Sequence, residues 1–325
     1  MSFAGRNFKS ALSGASVLIA CTVALAQPYP IKPIRVVVPN PAGGNDVYLR
    51  VLMPKMVEVL GQPIVIENRP GASGAIGSAN IARSAPDGYS LLFCTSAQIV
   101  LSPFLNKSLP YDTVRDFTPI SMVLQPVVAM TVSAALPVGS VRELIDHAKS
   151  RPGKLSYATS GPGSVPHFDA ELFKAAAGVD MLHVPYKGVA QILPELIAGR
   201  VDFAFPPYGS VAPHLAAGKL KVLAVLDAAR HPRLPDLPSI TETLPALRRA
   251  PLWFSLFGPA ALPRSIVDRL HGALIKALEA PEVRSNFENG YMRVIGSTPE
   301  ELAASIKSDI ELTAGLVKLI GLKPE

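Results

Sequence analysis

Three turns rich in glycine and serine stand immediately ahead of helix-like segments: Pro41-Ala42-Gly43-Gly44-Asn45-Asp46, Gly71-Ala72-Ser73-Gly74-Ala75-Ile76-Gly77 and Ser160-Gly161-Pro162-Gly163-Ser164-Val165-Pro166-His167. The first turn of a helix has backbone N–H groups without intrahelical partners, and the helix dipole places partial positive charge there. A carboxylate fits such a site. Glycines also serve tight turns, and Ser164 can be an N-cap, with no ligand involved. Two such loops in different lobes favour the ligand reading.

The loops do not fit nucleotide chemistry. Gly71, Gly74 and Gly77 make G-x-x-G-x-x-G, which is neither the dinucleotide fingerprint nor a P-loop, and no lysine follows. There is no G-x-S-x-G elbow, H-E-x-x-H or C-x-x-C. The six histidines stand far apart in sequence, so neither a metal nor any other cofactor is expected. Ser164 and His167 are three apart at a helix start, which admits a hydrolase reading, yet no third orienting acid is indicated. Cys94, ending an apolar run, reads as an inert buried thiol.

Alternating elements must position these turns. Ile34 to Val38 reads as a buried first strand, followed by a helix with Leu49, Leu52, Met53, Met56 and Leu60 on one face and a kink at Pro54. Strands are expected at 64–67 and 90–94, with a short helix at 76–84 between them. Ser140 and Glu143 form a capping box ahead of Val141, Leu144, Ile145 and Ala148. A strand at 155–158, a helix at 165–177, a strand at His183-Val184 and a helix carrying Val189, Ile192, Leu193 and Leu196 follow. Strands at 201–205 and 220–226, a surface connection over 231–238, a strand at 253–258, a helix through Ile266 to Leu278 and a final helix capped at Thr298 complete the order. This βαβα order predicts α/β lobes with mostly parallel strands. The absence of a long linker predicts strands crossing between lobes near 121–126 and 252–258, with a cleft between the lobes.

The hydrophobic content of 49% is ordinary for a folded chain, and the 32 prolines are scattered, so they punctuate short elements and do not build one stiff linker. Arg6, Lys9, the apolar run from Ala11 to Leu25 and Ala24-Leu25-Ala26 read as a secretory leader cleaved after Ala26. Leu18-Ile19-Ala20-Cys21 also has the form of a lipobox, which would instead lipidate Cys21. Cleavage after Ala26 leaves Cys94 as the single cysteine, so no intramolecular disulfide can form. It also takes the formal charge from +6 to +4, because Arg6 and Lys9 go with the leader. Basic residues do not cluster beyond Arg248-Arg249, which excludes nucleic acid as a partner. No other apolar run approaches the roughly 20 residues of a spanning helix.

Several short segments taken in order carry a family resemblance: Tyr29-Pro30-Ile31-Lys32-Pro33-Ile34, Glu67-Asn68-Arg69-Pro70-Gly71-Ala72, Pro86-Asp87-Gly88-Tyr89, Asp116-Phe117-Thr118-Pro119, Val184-Pro185-Tyr186-Lys187-Gly188, Leu237-Pro238-Ser239 and Trp253. Over essentially the whole chain after the leader, the sequence resembles the Bug (TctC-like) receptors of tripartite tricarboxylate transporters. The resemblance implies a two-lobed, Venus-flytrap periplasmic binding protein without catalytic activity. It further implies a monomer that captures a small carboxylate and delivers it to membrane transporter subunits. The implied domains are a leader at 1–26, a first lobe at 27–124 and 253–325, and a second lobe at 125–252. The implied ligand contacts are Pro41, Ala42, Gly43, Gly44, Thr95, Ser96 and Ala97 in the first lobe, with Ser160, Gly163, Ser164, His167 and Asp202 in the second. Asp202 would hold a water or accept a ligand amide or hydroxyl; capping a loop is its alternative. The first turn departs from the family's G-G-x-x-D by one residue, and Asn40 stands where an aromatic residue is common. Docking on a membrane sensor kinase is the competing use of such a closed lobe pair.

Overall fold

The computed structural model describes residues 29–249 and 251–321. The expected leader, with Ala26 and Cys21, lies outside them. In the first lobe, β1 (Ile34–Val38), α1 (Asp46–Leu60), β2 (Ile64–Asn68), α2 (Ala75–Ala82) and β3 (Ser90–Thr95) follow in order. A wide π-helical turn (Ala97–Leu101) then runs into α3 (Ser102–Leu105) and β4 (Phe117–Pro126). The second lobe holds β5 (Ala129–Ser133), α4 (Val141–Ser150), β6 (Ser156–Thr159), α5 (Val165–Ala177), β7 (Leu182–Pro185), α6 (Val189–Ile197), β8 (Phe203–Ala204), α7 (Tyr208–Ala216) and β9 (Leu220–Val225). The chain returns through β10 (Phe254–Pro259), α8 (Arg264–Glu279), α9 (Pro281–Asn289), β11 (Met292–Val294) and α10 (Pro299–Ile320). Among the described residues no helix is long and apolar enough to cross a membrane.

Two sheets result, in the orders β11-β4-β10-β3-β1-β2 and β7-β6-β8-β5-β9. Alternation at a period of two sorts the strand residues onto two faces. Val36, Val38, Leu91 and Phe93 enter one apolar cluster with the α1 stripe and α8, while Val37, Leu92 and Cys94 enter another with α2 and Trp253. The second sheet is likewise covered on both faces. Both faces being buried explains why these strands read as continuous apolar runs.

The sheets are mixed, which corrects the expectation of mostly parallel strands. β2 and β3 run parallel to β1, and β7 and β8 run parallel to β6, but β10, β11, β5 and β9 form antiparallel ladders. The reason is the crossing. β4 runs out of the first sheet toward the second lobe and β10 comes back, so these neighbours must oppose each other. Pairing of β4 in the first sheet extends to Pro126, opposite Met292, two residues past the expected boundary.

Five helices and strands were not expected: α3 and β5, then α7, which carries Pro213 and opens on Tyr208-Gly209-Ser210, α9 and the short β11. The helix α1 continues through Pro54 as a single element. At α4, Ser140 accepts from Glu143 N at 3.1 Å, but the Glu143 carboxylate accepts from Gly139 N at 2.7 Å, one residue earlier than a capping box requires. At α10 the box with Thr298 and Glu301 is complete.

Candidate functional site

Parallel strands gather the turns. β1, β2 and β3 end at the same edge of the first sheet, so the segments after Val38, Asn68 and Thr95 form one crown. In the second sheet β6, β7 and β8 do the same for the segments after Thr159, Pro185 and Ala204. Crevices beyond the carboxyl ends of such strands are where α/β sheets bind ligands. The two crowns face each other: Ser73 Oγ in the first donates to Pro162 O in the second at 3.0 Å.

In the first crown Pro41, Ala42, Gly43 and Gly44 are all exposed. Gly43 has φ +80° and Gly44 N donates to Pro41 O at 3.3 Å, a turn that favours glycine. The start of α1 has no side-chain cap, and of its first-turn N–H groups Val47 N donates to Gly44 O at 3.4 Å. Asn40 fixes the turn, its side chain accepting from Asn45 Nδ2 at 2.8 Å and its carbonyl from Asn68 Nδ2 at 2.9 Å. Asp46, one residue into α1, is buried; its Oδ2 accepts from Arg50 Nε at 3.0 Å and its Oδ1 has no hydrogen-bond partner among the described residues.

Thr95, Ser96 and Ala97 are different. All three are buried and their backbone donors are consumed internally. Thr95 N goes to Gln98 Oε1 at 3.1 Å, Ser96 N to Trp253 O at 3.1 Å and Ala97 N to Thr95 Oγ1 at 3.3 Å. Among the described residues this turn therefore offers a ligand no free N–H, and only the Ser96 hydroxyl is left without a partner. Gln98 organises it and was missed in the sequence, because a glutamine inside an apolar run carries no signal of its fold neighbours. Its Nε2 donates to Ser73 O at 2.9 Å, tying the third turn of the crown to the second.

In the second crown Gly161 (φ +109°) and Gly163 (φ +71°) shape the turn before α5. Ser164 is the N-cap, accepting from His167 N at 3.4 Å and donating to Gly161 O at 2.7 Å. The imidazole of His167 receives Gly163 N on Nδ1 at 3.4 Å. The Ser164 hydroxyl is thus directed to a carbonyl and not to the imidazole, an arrangement that does not activate a nucleophile.

His167 stacks on His183 with centroids 4.4 Å apart, and His183 stacks on Tyr157 at 5.0 Å. Sixteen positions separate the two histidines, so only the adjacency of β7 to α5 brings them together. His183 Nε2 is 2.6 Å from Thr159 Oγ1, which in turn accepts from Gly161 N. Burial lowers the His167 pKa below 6.5, with Glu171 opposing and Lys174 reinforcing the shift. Glu171 is pushed up by burial, but hydrogen bonds from Tyr157 and Lys174 outweigh this and its pKa falls below 4.5. Among the described residues no group of three or more His, Cys, Asp or Glu could hold a metal. Burial pushes the Cys94 thiol well up, as befits an inert core residue.

Asp202 does not join the crown, which corrects its assignment to the cleft. It precedes β8 and lies beside Ser156, the first residue of β6, whereas the crown follows Thr159. The length of β6 separates the two, about 10 Å at 3.3 Å per residue. Its Oδ2 accepts from Ser156 N at 2.6 Å and Ser156 Oγ at 2.8 Å, so it caps the opposite end of the sheet. A surface groove of about 260 Å³ lined by Thr118, Pro119, Leu262 and Arg264 lies near the start of β4, also away from both crowns.

Two α/β lobes, joined by crossing strands and presenting helix N-termini to each other, define a periplasmic-binding-protein-like solute receptor. The model of the tripartite tricarboxylate transporter family receptor, TctC, matches residues 48–322, and the chain belongs to that family. It is similar to Protein BugT of Bordetella pertussis, 33% identical over 92% of each chain. Among solved structures it is similar to R. palustris Rpa4515 with adipate (TM-score 0.86, 31% identity, covering 91% of this chain and 100% of that one). It is also similar to MatC from Rhodopseudomonas palustris with bound malate (TM-score 0.83, 30% identity, 89% and 100% covered). The chain is accordingly a periplasmic solute-binding receptor of the Bug type and not an enzyme.

Proposed function

We propose that the protein, after loss of its leader at Ala26, acts as a monomer that captures a small dicarboxylate between the two crowns and hands it to membrane permease subunits. The observation that carries this is that the two facing crowns each open a helix, α1 with no side-chain cap and α5 with Ser164 as its cap. Oriented backbone N–H groups and dipoles stabilise an anion without a cationic side chain. Adipate and malate in the similar receptors agree with this chemistry. Pro41 to Gly44, with Ser160, Gly163, Ser164 and His167, would line the site, and Ser96 would contribute only its hydroxyl. Residues 27–124 and 253–325 would act as one lobe and 125–252 as the other. A ligand whose contacts are complete only with both lobes together selects the closed state.

A thermal-shift series of the mature protein with C4 to C8 dicarboxylates tests the reading. At 100 times its Kd a true ligand adds about 2.7 kcal/mol of stability. Absence of any shift across the series, with shifts produced instead by amines or neutral sugars, would overturn it.

A further inference from the structure

The turn at Gly71 to Gly74 has no part in the site proposed above, yet it is the most strained segment of the first crown. Ala72 (φ +45°) and Ser73 (φ +53°) both occupy the left-handed region without being glycine, between Gly71 (φ +129°) and Gly74 (φ +94°). Such conformations persist where the surroundings over-determine them, and they cluster at clamps and switches.

What holds the turn is Gln98, a side chain 2% exposed. Its Nε2 donates to Ser73 O at 2.9 Å, while its Oε1 accepts from Thr95 N and Thr95 Oγ1 at 3.1 and 2.9 Å. Its own carbonyl accepts from Tyr111 OH at 2.9 Å. Gly74 makes room for this amide, since a Cβ there would lie 2.7 Å from Gln98 Nε2. With its backbone pinned in this way, Ser73 turns its hydroxyl outward to Pro162 O, 3.0 Å away in the other lobe. Gly163 leaves room beside the contact: a Cβ there would lie 3.5 Å from Ser73 Oγ. Leu105 of the first lobe packs beside it, in an apolar cluster with Val165, Phe168 and Leu172 of the second.

We propose that the Ser73 hydroxyl and the Pro162 carbonyl form a latch that holds the lobes closed, with Gln98 as the positioning residue that presents Ser73. The inference rests on the reading of the protein as a receptor that closes over its solute. The latch bond exists only in the closed form, so it raises the closed fraction, and apparent affinity scales with that fraction. Neither Ser73 nor Pro162 is among the residues assigned above to the ligand. Loss of the latch should therefore weaken all ligands by one common factor and leave their rank order unchanged, whereas loss of a ligand contact reorders them.

The test compares mature wild type with Ser73→Ala, Ser73→Gly and Gln98→Ala. Adipate and malate serve as probes in stopped-flow binding, with small-angle scattering of the ligand-free proteins alongside. A net hydrogen bond predicts an increase in dissociation rate of about three- to ten-fold for Ser73→Ala, equal for both probes, with little change in association rate. Ser73→Gly relieves the strained φ but also lacks the hydroxyl, so it should behave as Ser73→Ala does. The double variant with Gln98→Ala should dissociate no faster than the faster single variant, because both act on one bond. The radius of gyration should rise in each variant. Unchanged dissociation, or a radius in Ser73→Ala equal to that of wild type, overturns the latch. Failure of wild type to bind either probe counts against the dicarboxylate reading alone, and the scattering comparison then decides the latch. Misfolding of Gln98→Ala leaves the two Ser73 variants to decide it.

Discussion

Gly209 and Gly290 meet across the lobe boundary with no space for a side chain: a Cβ on Gly209 would lie 2.2 Å from the carbonyl oxygen of Gly290. Gly209 is in the first turn of α7 and Gly290 follows α9, so the contact joins the second lobe to the first. Beside it Tyr208 and Tyr291 pack edge to face at 4.5 Å, and Val127 between the sheets donates to Tyr291 O while its carbonyl accepts Tyr208 N. The clash atoms are backbone, which cannot swing aside as a flexible side chain would. Gly209→Ala should cost about 1–3 kcal/mol of overpacking, read as a lower melting temperature. Gly272→Ala, where a Cβ meets open space, is the control and should not melt earlier.

Arg249, at the return crossing, is bound to Asp169 of α5 by two bonds of 2.9 Å, and the Asp169 carboxylate is almost completely buried. Burial raises the Asp169 pKa above 3.8, with Arg249 opposing. Arg249→Met leaves that carboxylate unpaired and should cost about 3–5 kcal/mol at neutral pH. Because the folded pKa is raised, the stability this group contributes is present below 3.8 and lost as pH rises through its folded value. The deficit of Arg249→Met should therefore shrink in melts toward pH 4. A deficit that grows on acidification contradicts this assignment.

The protein's single tryptophan, Trp253, is fully buried and donates from Nε1 to Asp309 Oδ2 of α10 at 2.9 Å. Asp309→Ala strands a buried donor and should cost about 1–3 kcal/mol, with red-shifted tryptophan emission as α10 loosens. Asp309→Asn keeps an acceptor and removes a charge that burial disfavours, so it should melt close to wild type. Equal melts for the two variants would mean that the hydrogen bond contributes nothing.

His167 should titrate below 6.5 in an NMR pH series, since burial disfavours its cation. A depressed folded pKa means that its stabilising share is present above 6.5 and lost as pH falls through the folded value. Protonation also turns Nδ1 from an acceptor of Gly163 N into a donor, so the Gly163 amide resonance should follow the same midpoint. Glu171→Gln removes the opposing carboxylate and should lower the midpoint further. A midpoint at or above 6.5 in wild type excludes the buried, neutral imidazole.

Much of the secondary structure was legible in the sequence because local causes determine it. β1 and α5 fall where the apolar run and the Ser164 cap place them, and the α1 and α4 stripes are the buried faces of their helices. The family markers and the glycine turns also pointed to a two-lobed receptor with anion-binding loops. What the sequence alone determined, then, is where backbone donors are left over at helix starts, since 3.6- and 2-residue periods, caps and glycine φ angles are properties of neighbouring residues. Which of those donors remain open was decided only by tertiary structure. Thr95 to Ala97 spend theirs on Gln98, Trp253 and Thr95 itself, Asp202 lies at the far end of β6, and His167 meets His183. The bonds of Thr95 and Ala97 close locally within the turn, but Ser96 meeting Trp253, Asp202 lying beside β6 and His167 meeting His183 depend on strand order. No short window of sequence contains the Ser96–Trp253 or Ser156–Asp202 pairing, because those partners stand 157 and 46 residues apart and are joined only by packing.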